Sequence, residues 1–270
     1  MGSFDSYSNK YPNIAMRREE GILEVRLHSD GESVRWHTNI QRQLLDAYSE
    51  IGADRNNRVI IITGTGNEFI GPRHDGTMYN YQAIHPVITP AVMDEVHWDA
   101  KRMIARFLEI EVPCIGVMNG PALRHSGTAL MCDIVIASED ATIEDTSHFT
   151  IGNNVPGDGI AVILTMLMGL NRARYLMLTG QVLSAQQALA LGLVAELLPR
   201  DKLLDRAWVL AREIAKKPDL LLRHTRLVLT HPLKKMMDEM LPYHLTLESM
   251  GGLEKAEING LTRGDTSVRI

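Results

Sequence analysis

The chain has 270 residues, of which 45% are hydrophobic and 23% charged, with a formal net charge of −5. That length suits one large domain with a sizeable core, and no Ser/Gly/Pro-rich linker divides it. The composition excludes a disordered chain, no apolar run approaches the ~20 residues of a bilayer span, and the scattered Lys and Arg form no basic face for nucleic acid.

The first residues, MGSFDSYSNKYPNI, have neither the basic start nor the apolar core of a signal peptide. MGSFDS fits the loose myristoylation pattern through Ser6, but nothing basic follows, so an ordinary polar start is expected. Residues 13–29 alternate about Glu19–Glu20–Gly21, with Ile22, Leu23, Val25 and Leu27 on the apolar side, and predict a hairpin. A helix is expected over 38–51. The run VIIIT, Val59 to Thr63, is wholly apolar and β-branched until its last residue, and predicts a strand buried on both faces. Residues 67–87 are expected to be loop.

Over 90–110, Val92, Val96, Met103, Ile104 and Phe107 recur at helical spacing, and a strand Pro113–Met118 follows. A loop-to-helix passage over Asn119–Met131 leads to another strand, Asp133–Ala137. Beyond about residue 155 the pattern is nearly all helical, so the order suggests stacked strand–helix turns with a helical C-terminal part. Residues 252–270, rich in Gly, Thr and charge, are expected to form a flexible tail. Cys114 and Cys132 lie in the apolar segments VPCIGVM and ALMCDIVIA, where buried reduced thiols are the rule, and a cytoplasmic location is expected.

Three passages, VIIITGTGNEFIG, VPCIGVMNGPALRHSGTALMCDIVIASEDATIED, and VPGDG followed by LMLTGQVLSAQQALALGLVAELLP, resemble the crotonase (enoyl-CoA hydratase/isomerase) superfamily over about residues 13 to 230. The resemblance implies an α/β fold, a spiral of ββα turns over 13–200 with a helical trimerisation region over 201–251, assembled as a homotrimer or a dimer of trimers. In thioester-binding members, backbone N–H groups of two small-residue loops hold the substrate oxyanion. Both loops are altered here. The first reads Phe69-Ile70-Gly71-Pro72-Arg73-His74-Asp75, and Pro72 has no N–H to donate; the second reads Ala122-Leu123-Arg124-His125-Ser126, with bulky residues in place of glycines. The two glutamates of hydratases are also missing, Thr128 and Phe149 standing near their places.

The motifs N-G-P-x-x-x-H and H-F-x-x-x-x-x-V-P-G-D-G, with Trp36 upstream, resemble a narrower branch, the β-diketone hydrolases typified by 6-oxocamphor hydrolase. This implies cofactor-independent hydrolysis of a C–C bond in a cyclic 1,3-diketone, a retro-Claisen cleavage to a keto acid, with the small diketone as partner and no metal. His148 is then the expected base for water, with Asp158 fixing its tautomer or contacting the water. His125, with Trp36 as a second donor, is expected to stabilise the oxyanion or enolate. Glu248 matches a further polar site residue and is expected against a histidine or the second carbonyl. His37, Gln41 and His74 are expected at the substrate; Gln41 stands where the branch carries a histidine, and His37 follows Trp36 directly.

Plainer roles stay open for several of these. Asp158 suits the cap of a helix starting near Gly159, Trp36 could close the hairpin as a half-buried aromatic, and Glu248 could be a solvated or interface carboxylate. The remaining histidines read as solvated, and the 14 methionines as core and pocket filling. Two other functions compete: a CoA-thioester hydratase, isomerase or dehalogenase-like enzyme using Asp158, and a non-catalytic scaffold, for which the acidic balance disfavours RNA.

Overall fold

The computed structural model describes residues 4–73, 85 and 87–262. The hairpin forms as expected from β1 (Ile14–Glu19) and β2 (Ile22–Leu27), antiparallel with Glu19 opposite Ile22. Glu20 and Gly21 both adopt positive φ, 50° and 80°, the two-residue turn whose twist matches that of paired strands. A side chain at Gly21 would also run into Arg58, whose Cγ lies 2.8 Å from where a Cβ would stand.

From β2 the sheet continues in parallel through β3 (Val59–Thr63), β4 (Cys114–Met118), β5 (Ile134–Ser138) and β8 (Glu196–Leu198), in the order β1-β2-β3-β4-β5-β8. All five residues of β3 and of β4 are buried. Parallel neighbours require crossovers. These are α1 (Thr38–Ala53), α2 (Pro90–Leu108), α3 (Gly127–Leu130), and a last excursion through β6 (Thr142–Ile143), α4 (Ile160–Met168), α5 (Leu170–Thr179), β7 (Leu183–Ser184) and α6 (Ala185–Ala190). Ser184 and Gln187 close a reciprocal capping box at the start of α6, which explains the L-S-A-x-x pattern physically.

A second, narrow ribbon runs beside the sheet. After leaving each main strand, the chain pairs briefly with the previous turn: Arg35 with Gly71, Ile70 with Ala122, and Ala122 with Ile143, all parallel. Thus Phe69–Gly71, expected as loop, is part of this ribbon. One face of the main sheet packs on α7 (Arg200–Ala215), where Trp208 donates its indole N–H to the buried Glu24 at 2.8 Å. The other face packs with α1 and α2 into the larger core.

The C-terminal part is helical, as expected, except for the short strands β7 and β8. Three residues cannot carry a strand pattern of their own; β8 is held by pairing with β5. The last helix, α8 (Asp219–Ile258), contains Pro232 and Pro242. It corrects the expectation of a flexible tail from residue 252: the segment to Ile258 is helical, and Lys255 and Ala256 are buried. Both cysteines are free and buried, and among the described residues no helix is long and apolar enough to cross a membrane.

Candidate active site

The ribbon delivers the site. The backbone N–H of Trp36 donates to Gly71 at 2.8 Å, and that of Leu123 to Ile70 at 3.0 Å, so Trp36 and the segment leading to His125 emerge from adjacent ribbon turns. At His125 the chain turns with φ +48°, a left-handed conformation in a position where the family pattern has glycine. A side chain there costs on the order of 1 kcal/mol in backbone strain, which local packing must offset. The imidazole lies stacked on Trp36, ring centroids 4.2 Å apart and 25° between planes. The first loop presents no free N–H at Gly71 or Pro72: Gly71 donates to the Val34 carbonyl at 2.9 Å, and Pro72 has none.

His148 follows the ribbon strand β6, and Thr146 ties this turn to the second loop by donating its hydroxyl to the Leu123 carbonyl at 2.7 Å. Its Nδ1 lies 2.6 Å from the Asp145 carboxylate. Its Nε2 faces two further carboxylates, Asp158 at 3.7 Å and Glu248 at 3.6 Å. Asp158 reaches His125 Nδ1 at 3.5 Å with its other oxygen. It also accepts from the backbone N–H of Ile160 at 3.2 Å, so it caps the start of α4 while facing both histidines.

Glu248 arrives from α8, and the glycine of V-P-G-D-G is what admits it. A Cβ on Gly157 would stand 2.3 Å from the His244 carbonyl oxygen and 2.6 Å from Glu248 Cβ, so any larger residue would push α8 away.

These placements separate the two imidazoles electrically. Burial drives His125 down to about 4, against the opposing pull of Asp158, and the nearby Arg124 charge adds to the fall. His125 is therefore neutral at physiological pH. At His148 burial acts in the same direction, but the charges of Asp145 and Asp158 and the hydrogen bonds to Asp145 and Glu248 outweigh it, holding the group well above its ordinary value. It is an imidazolium. Asp158 is held below the usual carboxylate range despite its burial, chiefly by the His148 charge and by His125. Glu248 moves the other way, to about 7, because burial and the neighbouring Asp158 and Asp145 outweigh His148.

Six residues, Trp36, Gln41, Ala100, His125, His148 and Asp158, line both lobes of one cleft. The lobes have volumes of about 70 and 40 Å³, room for a handful of water-sized groups each. Of the residues anticipated from sequence, His125, His148, Asp158, Glu248, Trp36 and Gln41 come together here. Gln41 also donates its amide to the Val96 carbonyl at 3.4 Å, tying α1 to α2. His37 does not join them: it precedes α1 as its cap residue, with the cleft-lining Trp36 and Thr38 on either side of it. His74 lies outside the described residues.

One expected pairing is corrected. The carboxylate that fixes His148 through Nδ1 is Asp145, not Asp158, which stands at ion-pair distance from Nε2. The signal was an aspartate three residues before the histidine in D-T-S-H, a spacing that lets one turn bring both side chains together. Lys255 also lines the cleft without having been singled out, as do Arg124, read only as a bulky residue at a glycine position, and His97, read as solvated. At the places of the missing hydratase glutamates, Thr128 is buried against the smaller lobe and Phe149 is exposed. Among the described residues no group of three or more His, Cys, Asp or Glu is arranged to hold a metal ion.

A family model described as enoyl-CoA hydratase/isomerase matches residues 17–250. A Thermus thermophilus protein whose name describes an enoyl-CoA hydratase is 32% identical over 187 residues, covering 68% of this chain and 70% of the relative. The 2,3-dehydroadipyl-CoA hydratase of Escherichia coli is 27% identical, covering 78% of each. Among solved structures, a beta-diketone hydrolase from the cyanobacterium Anabaena sp. PCC 7120, bound to (S)-3-oxocyclohexyl acetic acid, superposes with a TM-score of 0.87 at 38% identity, covering 94% of this chain and 98% of the other.

Proposed function

The chain belongs to the enoyl-CoA hydratase/isomerase family, the crotonase superfamily, and within it we propose a cofactor-independent hydrolase that cleaves a C–C bond of a cyclic 1,3-diketone to a keto acid. One observation carries this reading: His125, His148, Asp158 and Glu248 converge in one cleft of a chain that has Thr128 and Phe149 near the places of the hydratase glutamates. The 38% identity to a beta-diketone hydrolase supports the same choice.

The protonation states suggest how the residues divide the work. Glu248, held near 7, is matched to accept a proton from water at neutral pH. Its Oε2 is buried without a hydrogen-bond partner among the described residues, as is Nε2 of His125. Water adds to one carbonyl as Glu248 takes its proton, and the developing alkoxide is stabilised by the His148 cation, held by Asp145. The alkoxide collapses to a carboxylic acid as the bond to the carbon between the carbonyls breaks. The departing enolate receives a proton from His148. Glu248 then returns its proton to His148, 3.6 Å away, closing the cycle.

His125 complements this as an acceptor. With Nδ1 toward the ionised Asp158, its proton belongs there, which leaves Nε2 a lone pair for the O–H that water addition leaves on the attacked carbon. Trp36 holds that ring by stacking. This reverses the roles read from sequence, where His148 was the base and His125 the donor. The reason is the number of carboxylates around each ring.

The expected homotrimer or dimer of trimers is kept as part of the proposal. It is supported by exposed apolar side chains along α8, among them Val228, Leu229, Tyr243 and Met250. Sedimentation of the protein as a monomer would remove it.

The decisive assay offers the protein a panel of 2,2-disubstituted alicyclic 1,3-diketones and, separately, a crotonyl thioester of coenzyme A. Keto acid from a diketone, with no hydration of the thioester, is expected. Thioester hydration without diketone cleavage would favour the competing family activity.

A further inference from the structure

The two lobes share six residues and differ in what each adds to them. The smaller lobe adds Met103, Ile104, Met131, Ile160 and Ile163, and its two acids are already engaged, Glu144 with Arg73 and Asp145 with His148. The larger lobe adds the neutral polar side chains Thr38, Ser147, Asn154 and Ser249. Arg124 and Lys255 line it too, but both have partners within the protein, the Gly152 carbonyl at 2.6 Å among those of Lys255.

Two of the neutral groups have none among the described residues. Thr38 is 8% exposed, and its Oγ1 is buried without a hydrogen-bond partner; the Oγ of the half-buried Ser147 is in the same state. Each stands beside a residue of the reacting centre: Thr38 opens α1 two residues after Trp36, and Ser147 directly precedes His148. A buried hydroxyl left unpaired is costly. A few such groups in a pocket that is otherwise largely apolar are what orient a ligand. Each hydroxyl has one proton to donate and lone pairs to accept. A ligand hydroxyl can pair with it in either sense, whereas a ketone or a carboxylate can only accept.

We propose that Thr38 and Ser147 form a hydroxyl-recognition subsite in the larger lobe, opposite the aliphatic and thioether wall of the smaller one, so that the substrate is an alicyclic diketone bearing a neutral hydroxyl group. This rests on the hydrolase reading above and deepens it. The ring's hydrocarbon face lies against Met103, Met131 and Ile160, and its hydroxyl-bearing edge turns toward Thr38 and Ser147. An analogue with a methyl group in place of the hydroxyl is rejected because it leaves those two oxygens unpaired.

The test is direct binding, by calorimetry on the full chain, of 4-(hydroxymethyl)cyclohexanone and of 4-ethylcyclohexanone, which match in size and have no second carbonyl to cleave. The hydroxylated ketone is expected to bind about tenfold more tightly, equivalent to ~1.4 kcal/mol. Thr38→Val and Ser147→Ala are each expected to remove most of that preference while leaving the affinity for the ethyl compound within about twofold. Thr38→Ser, which keeps the hydroxyl, is expected to retain the preference, and Ser147→Ala carries the test alone if Thr38→Val does not fold. Equal binding of the two ketones by the unaltered protein, no binding of either, or an unchanged preference in Ser147→Ala would overturn the subsite. Tighter binding of 4-oxocyclohexanecarboxylate than of the hydroxylated ketone would also overturn it, since the lobe would then select charge. Turnover is scored separately on 2,2-dimethylcyclohexane-1,3-dione carrying hydroxymethyl or ethyl at C5. Cleavage of both at equal rates, with equal ketone binding, sinks the subsite alone. Hydroxyl preference in binding without cleavage of either diketone supports the subsite and removes the hydrolase reading.

Discussion

His125 and His148 leave the same ribbon from neighbouring turns, one after the 121–123 segment and one after β6, and both are drawn into the same cleft. His125 meets one carboxylate, at 3.5 Å, and stacks on an indole. His148 meets three, at 2.6, 3.6 and 3.7 Å. Burial pushes both toward neutrality, and only the second set of charges reverses it. The chemical identity of a residue therefore says little about its role in such a site. The count and placement of its charged neighbours decide whether an imidazole donates or accepts.

Removing the charged member of the pair should have the largest effect. His148→Asn is expected to lower kcat by about 10³–10⁴, the loss typical when a unit of the acid–base machinery is deleted, while His125→Asn should cost less. Single-turnover rates of the two variants check the ordering, and equal losses would erase the distinction between the rings.

Weakening the charge around His148 sharpens the comparison. Asp145→Asn removes the nearest carboxylate, so His148 should lose its proton at lower pH. A fall of about 10² in kcat is expected, with the alkaline limb of the rate profile moved to lower pH. An unshifted limb would mean that Asp145 does not set the charge of the ring.

The last comparison concerns the shape of the unaltered protein's pH profile, the subtlest of these readouts. Glu248 acts in its ionised form, so activity should rise with pH through about 7 and level off until His148 loses its proton. Glu248→Gln is expected to remove the acid limb along with much of the rate. Its persistence in that variant would assign the limb to another group.

Much of the framework was legible in the residues. Val59–Thr63 announced a doubly buried strand by being apolar and β-branched throughout, and it is one. The hairpin turn at Glu20–Gly21 was readable from its glycine and the flanking alternation. The ribbon was not: single bridges such as Ala122 to Ile143 leave no periodic signature, because each depends on a strand one turn earlier in the spiral. The three-residue β8 escaped for a similar reason.

The site divided in the same way. His125, His148, Asp158 and Glu248 were found because they stand at motif positions, and the structure brings them together. The charge of His148 could not be read, since it depends on Asp145, Asp158 and Glu248, which come from three separate segments. Arg124 was noticed only as a bulky residue at a glycine position, and its placement in the cleft required the fold.

The most direct test of the account is turnover of an alicyclic 1,3-diketone in water enriched in oxygen-18, followed by mass analysis of the product. The account predicts a ring-opened or ring-retaining keto acid carrying one solvent oxygen in its carboxylate, formed by the protein without added cofactor. Recovery of unreacted diketone from every member of the panel, under conditions where the same preparation hydrates a coenzyme A thioester, would contradict it.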